Sequence, residues 1–169
     1  MYEQEFAADW VTCVCQTPSM NERDREEFLE EFKEQGETTL VGFCIMGGIF
    51  SEGIDLMGDR LIGAAIVGTG LPQVNTEREV LKKHYDRLGE NGFDYAYRFP
   101  GMNKVLQAAG RVIRTKEDVG CILLMDERFR STEYRILFPE EWNDVHICRM
   151  GNVESILKDF WKRNVLDIQ

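Results

Sequence analysis

The chain has 169 residues, 43% hydrophobic and 30% charged, with a formal net charge of -10, a composition that suits one soluble globular domain with its own core. No apolar run reaches the ~18 residues of a membrane span, and the start Met1-Tyr2-Glu3-Gln4-Glu5 lacks the basic-then-apolar pattern of a signal peptide. The chain therefore reads as cytosolic, with no membrane partner. Its acidity argues against a non-specific DNA-coating protein, although screening over about 8 Å leaves local basic patches free to bind anions.

In chain order, residues 9–16 (DWVTCVCQ) predict a first strand. A long polar helix follows over about 20–35, with Ser19 and Glu22 as a capping box, Gly36 as a C-cap, and Phe28, Leu29 and Phe32 as its buried stripe. Residues 39–46 (TLVGFCIM), 61–67 (LIGAAIV) and 120–125 (GCILLM) predict three more strands, apolar enough for a parallel sheet covered on both faces. Gly68-Thr69-Gly70-Leu71-Pro72 turns the chain into an exposed helix over 77–88, which Asn91-Gly92 ends. A further helix is expected from Tyr95 or Met102 to Arg114, and Asp126-Glu127-Arg128 closes the end of the last strand. After a short segment at 134–138, a strand at 145–148 and a helix at 153–165 complete the chain. Strands alternating with helices imply right-handed crossovers, a three-layer α/β domain and ligands at the carboxyl ends of the strands.

Two constellations carry chemistry. Gln107-Ala108-Ala109-Gly110-Arg111-Val112-Ile113-Arg114 places two guanidinium groups and an amide on one helix face. At ~100° per residue, Asn103, Lys104, Gln107, Gly110, Arg111 and Arg114 fall within about 120°, while Met102, Val105, Leu106, Ala109, Val112 and Ile113 occupy the opposite arc. Residues 95–116 hold five basic side chains and no carboxylate, a setting suited to a phosphate. The second constellation, Gly47-Gly48-Ile49-Phe50-Ser51-Glu52-Gly53-Ile54-Asp55-Leu56, follows a strand directly, so its glycines allow close backbone approach and its Ser, Glu and Asp offer polar groups. Taken alone it also fits a tight turn. No GxxxxGK[ST] occurs in the chain, so a nucleotide here lacks the lysine and the magnesium-binding hydroxyl that hold its β- and γ-phosphates. The five cysteines (Cys13, Cys15, Cys44, Cys121, Cys148) read as small core residues in a reducing compartment. Cys13-x-Cys15 has no second pair or nearby histidine to make a zinc site, and His84 and His146 are isolated.

Together, Gly48-x-x-Ser51-Glu52-Gly53-Ile54-Asp55 and Gln107-x-x-Gly110-Arg111-x-x-Arg114, about fifty residues apart, resemble motifs V (47–56) and VI (107–114) of superfamily 2 helicases. Ser-Glu-Gly-Ile-Asp points to the DinG/XPD-like branch. Gly58-Asp59-Arg60-Leu61, Gly70-Leu71-Pro72, Pro100-Gly101-x-x-Lys104, Asp118-x-Gly120 and Asp126-x-Arg128 agree with it, and the resemblance covers about residues 16–142.

The resemblance implies a RecA-like, P-loop NTPase-type domain, one unit over 1–169, with a mostly parallel sheet flanked by helices and its first strand and helix lacking. It implies the second motor domain of an ATP-dependent 5′–3′ DNA helicase, a piece of a larger protein. ATP and Mg2+ would be shared with a first RecA-like domain that carries the P-loop, and the chain by itself would not turn over ATP. Arg114 matches the arginine finger, Arg111 a second γ-phosphate contact and Gln107 a sensor of the phosphate or attacking water. Asp55, Gly53, Glu52 and Gly110 match the nucleotide side, and Gly48 and Ser51 the single-stranded DNA side. No metal ligand is implied here, and an iron–sulfur cluster belongs only to the part of the helicase outside this chain. An uncovered sheet edge or apolar face is a further expectation. The competing reading is a non-catalytic RecA-like module that binds a partner protein or nucleic acid.

Overall fold

The computed structural model describes residues 10–32, 38–48, 61–115, 118–142 and 145–165. Four short strands form two parallel pairs: β1 (Val11–Cys15) with β2 (Thr39–Phe43), and β3 (Gly63–Val67) with β4 (Cys121–Met125). The registers run Val11↔Thr39 to Cys15↔Phe43 and Gly63↔Cys121 to Val67↔Met125. Parallel neighbours require crossovers, which the intervening helices supply. The architecture is thus α/β with parallel strands, as the alternating pattern predicts.

Between β1 and β2 lies α1 (Glu22–Glu31). Its capping box is not Ser19 with Glu22 but Asn21 with Asp24: the Asp24 N–H donates to Asn21 Oδ1 at 3.1 Å and the Asn21 N–H donates to Asp24 Oδ2 at 3.0 Å. Asn is as good an acceptor as Ser at this position, and here it stands at the junction where extended backbone becomes helical. The predicted stripe is observed. Phe28 is buried, with Val14, Met20, Leu29, Phe32 and Leu61 packed against it. Gly42 admits the Phe32 ring: a Cβ there would meet Phe32 Cζ at 2.6 Å. The predicted C-cap at Gly36 lies outside the described residues.

After β3, Asn75 caps α2 (Thr76–Arg87) by accepting the Arg78 N–H at 2.9 Å. A π-helical turn at Asp94–Arg98 runs straight into α3 (Phe99–Ala109), so this helical segment starts well before Met102. Met102, Val105 and Ala109 are buried at 2%, 0% and 2% exposure, each of the larger two contributing about 1.5–3 kcal/mol of hydrophobic stabilisation. The opposite arc, Asn103 and Gln107, is exposed.

One face of the β3–β4 pair is open. Gly63, Ala65 and Val67 are exposed, as is Met125, the register partner of Val67. The expectation of strands covered on both faces is therefore corrected for this pair. The cysteines are corrected as well: Cys15 and Cys44 are exposed and Cys13, Cys121 and Cys148 are intermediate.

The chain divides into two compact units, with the boundary between Phe129 and Arg130. The second contains α4 (Thr132–Arg135), which buries Tyr134, and α5 (Val153–Val165). No strand forms at 145–148. This run of alternating residues has no neighbouring strand among the described residues to satisfy its backbone groups. No helix among the described residues is long and apolar enough to cross a membrane.

Candidate functional site

The loops after β2 and β3 meet at the start of α3, and glycine makes the meeting possible. Gly70 has φ +66, and a Cβ on it would lie 2.7 Å from the Gly101 carbonyl oxygen and 3.1 Å from Met46 Sδ. On the helix side, a Cβ on Gly101 would lie 2.6 Å from the Thr69 carbonyl oxygen. Two backbones therefore touch where any side chain would force them apart. Thr69, the chain's one buried polar residue among those described, sits at this contact at 1% exposure.

Three residues further along, Lys104 lies against the turn that begins motif V. Gly47 has φ +77, and a Cβ there would be 2.9 Å from Lys104 Cδ and 3.3 Å from its Nζ. The next residue, Gly48, donates its N–H to the Ile45 carbonyl at 3.0 Å, which closes the turn. Gln16, just past β1, is fixed by accepting the Ile45 N–H on Oε1 at 2.9 Å, and its Nε2 lies 3.4 Å from the Cβ position of Gly48. Ser51, Glu52, Gly53 and Asp55 lie outside the described residues.

The arginine motif is not helical throughout. α3 ends at Ala109, with Gly110 as its cap at φ -66 and ψ -4. The Gly110 N–H still reaches Leu106, but those of Arg111 and Val112 bond back only three residues, to Ala108 and Ala109. This tightening is common at helix ends. Beyond it, the Asp118 carboxylate accepts the N–H groups of Arg114 at 2.8 Å and Thr115 at 2.7 Å, taking donors that helix continuation would have used. The expectation of one helix face extending to Arg114 is thus corrected by a competing side-chain acceptor.

The same carboxylate is held below the ordinary aspartate value, first by the Thr115 N–H and then by that of Arg114. A second clamp comes from packing. Val112 is 4% exposed, and a Cβ on Gly120 would meet its Cγ1 at 2.5 Å, so glycine lets this valine seat against the start of β4. Gln107 and Gly110 are exposed, while Arg111 and Arg114 are half-buried, with the Arg114 Nε shielded from solvent. At the end of β4, Asp126 forms an ion pair with Arg128 at 2.7 Å and also accepts its backbone N–H at 2.9 Å. The Arg128 side chain, and then its N–H, lower the Asp126 pKa.

The structure therefore describes Gln107, Gly110, Arg111, Arg114 and Gly48 from the sequence reading. It adds Gln16 beside Gly48 and Lys104 beside Gly47. Lys104 belonged to the polar arc of α3, so part of the signal was present; the position of Gln16 follows only from the pairing of β1 with β2. Among the described residues, no group of three or more His, Cys, Asp or Glu side chains could hold a metal ion.

Comparison with known proteins decides the family. Residues 3–145 match the helicase C-terminal domain family. The chain belongs to that family, in its DinG/XPD-like branch. It is 35% identical over 174 residues to the regulator of telomere elongation helicase 1 homolog of Drosophila sechellia, covering 90% of this chain and 18% of that protein. Likeness to the corresponding Caenorhabditis elegans protein is 33% over 126 residues, 69% of this chain and 12% of the other. The Dictyostelium discoideum general transcription and DNA repair factor IIH helicase subunit XPD is 33% identical over 106 residues, 59% of this chain and 13% of that one. A solved XPD helicase structure superposes with a TM-score of 0.57 at 19% identity, over 73% of this chain and 22% of that one. The helicase domain thus spans less than a fifth of the length of these curated relatives.

Proposed function

We propose that this helicase C-terminal domain is the second motor domain of an ATP-dependent 5′–3′ DNA helicase, supplying the arginine side of an ATP site and part of a single-strand groove. The observation that carries the reading is the turn after α3. Asp118 holds the backbone at Arg114 and Thr115, and Val112 anchors the same turn against Gly120, so the arginines project from a preset backbone. Preorganised cations need no rearrangement when charge develops on a transferring phosphoryl group.

In this reading Arg114 is the finger, Arg111 a second γ-phosphate contact and Gln107 the orienting amide. Gly110, Gly53, Glu52 and Asp55 line the nucleotide side, while Gly48 and Ser51 meet the strand. The chain contains no GxxxxGK[ST], so the phosphate-cradling lysine and the Mg2+ ligands come from a first RecA-like domain. ATP and Mg2+ are therefore shared between the two.

The test is ATP turnover by the full-length helicase. Arg114→Ala is expected to reduce it about 10³- to 10⁵-fold while leaving oligonucleotide affinity largely intact. Equal losses of turnover and of strand binding would remove the finger assignment.

A further inference from the structure

The π-helical turn Asp94–Arg98 runs into α3 at a proline, and the carbonyl that this proline leaves without a helical donor is taken by another helix. In a regular helix the N–H of residue 100 would bond the carbonyl of residue 96. Residue 100 is Pro, which has no N–H and whose ring crowds that same carbonyl. The backbone widens just upstream, where the Phe99 N–H reaches back five residues to the Asp94 carbonyl. Ala96 is wholly buried, at 0% exposure, so bulk water does not reach its oxygen. Arg78 of α2 supplies the donor, from Nη1 at 2.7 Å, the short distance of a charge-assisted bond.

This grip adjoins a contact that leaves α3 little play. Tyr97, the residue after Ala96, donates its hydroxyl to Glu79, the residue after Arg78, at 2.6 Å, so consecutive residues of α2 hold consecutive residues of the π-turn. One residue beyond Pro100, Gly101 meets the loop after β3 backbone to backbone, its Cβ position 2.6 Å from the Thr69 carbonyl oxygen. At its other end α3 delivers the arginine turn, since Gly110 caps it and Arg111 follows. A helix of 11 residues is ~16 Å long, so a tilt of about 4° at its start moves its end by about 1 Å. A misplacement of that size at a reacting centre costs up to about 100-fold in rate.

We propose that Arg78 is a positioning residue for ATP hydrolysis. By bonding the carbonyl that Pro100 leaves open, it fixes the start of α3 and thereby the point to which Arg114 is delivered. This assignment rests on the helicase reading above, in which Arg114 is the finger. Arg78 acts through α3 and not on the nucleotide.

The experiment measures ATP turnover by the full-length helicase with saturating oligothymidylate, together with the melting midpoint. Arg78→Met keeps the stem and removes the donor. It is expected to lower kcat about ten- to a hundredfold at temperatures well below the midpoint. The KM for ATP should stay nearly unchanged, because what is lost acts on the transition state. Pro100→Ala returns an N–H to residue 100, so in that background the same Arg78→Met change should cost about threefold or less.

Equal losses in the two backgrounds would overturn the proposal, since Arg78 would not be acting through the Ala96 carbonyl. An unchanged kcat, with the midpoint lowered or not, would leave Arg78 at most a role in stability and overturn it as well. Should Arg78→Met fail to fold, the double variant decides: turnover close to that of Pro100→Ala supports the proposal, and failure to fold in both backgrounds overturns it. Absence of ATP turnover by the unsubstituted helicase would sink the helicase reading itself, and normal turnover by Arg114→Ala its finger, outcomes distinct from those at Arg78.

Discussion

The arginine turn and the glycine turn are built in opposite ways. The first is held by its own neighbourhood in the sequence: Gly110 ends α3, and Asp118, four residues beyond Arg114, accepts the Arg114 and Thr115 N–H groups. The second is held from a distance. Gln16 reaches Ile45 across 29 residues, and Lys104 arrives from a helix that follows β3. A locally closed turn keeps its geometry as long as its own hydrogen bonds last, whereas a turn held by distant elements reports every shift of those elements.

Several substitutions test the contrast. The largest effect is expected from Arg114→Lys, which keeps the charge but loses the planar fork. It should fail to rescue the Arg114→Ala turnover, remaining about a thousandfold or more below the unsubstituted helicase. Near-normal turnover would show that charge alone suffices and that the held geometry of the turn is irrelevant.

Gly101→Ala comes next. A methyl 2.6 Å from the Thr69 carbonyl oxygen cannot be accommodated by a side-chain rotation, so α3 must shift, at about 1–3 kcal/mol. Because α3 leads into the arginine turn, ATP turnover by the full-length helicase should fall together with the thermal midpoint. A midpoint unchanged in a melting experiment would mean that the close approach of the two backbones is unimportant.

The smallest effect concerns Asp118. Its folded pKa lies below its ordinary value of 3.8, so its stabilising contribution is fully present above that value and disappears as pH falls through the lower, folded one. Asp118→Asn should therefore lower the melting midpoint at neutral pH and reduce the loss of stability seen below about pH 4. If the acid limb of the variant parallels that of the parent, the carboxylate does not hold the arginine turn.

Much of this domain was legible from residue order. Phe28, Leu29 and Phe32 marked the buried side of α1, and α5 begins and ends where its pattern predicts. Met102, Val105, Ala109 and Val112 were assigned correctly to the packed side of the arginine segment. The end of that helix was not legible, because helical periodicity continues through Val112 and Ile113 while the backbone leaves it after Ala109. Ile113 consequently stands 40% exposed instead of joining the packed face. The alternating residues at 145–148 likewise predict a strand, and none forms there.

Sequence alone determined the alternation of strands and helices from β1 to β4, the parallel α/β class and the residue types at both motifs, because periodicity and motif spacing are properties of neighbouring positions. Only the tertiary structure decided that Gly70 and Gly101 bring two backbones into contact, that Gly120 receives Val112, and that Gln16 and Lys104 converge on Gly47–Gly48. Those outcomes depend on which strand lies beside which and on how closely a helix can approach a loop. A glycine records that closeness only once its neighbour in space is known.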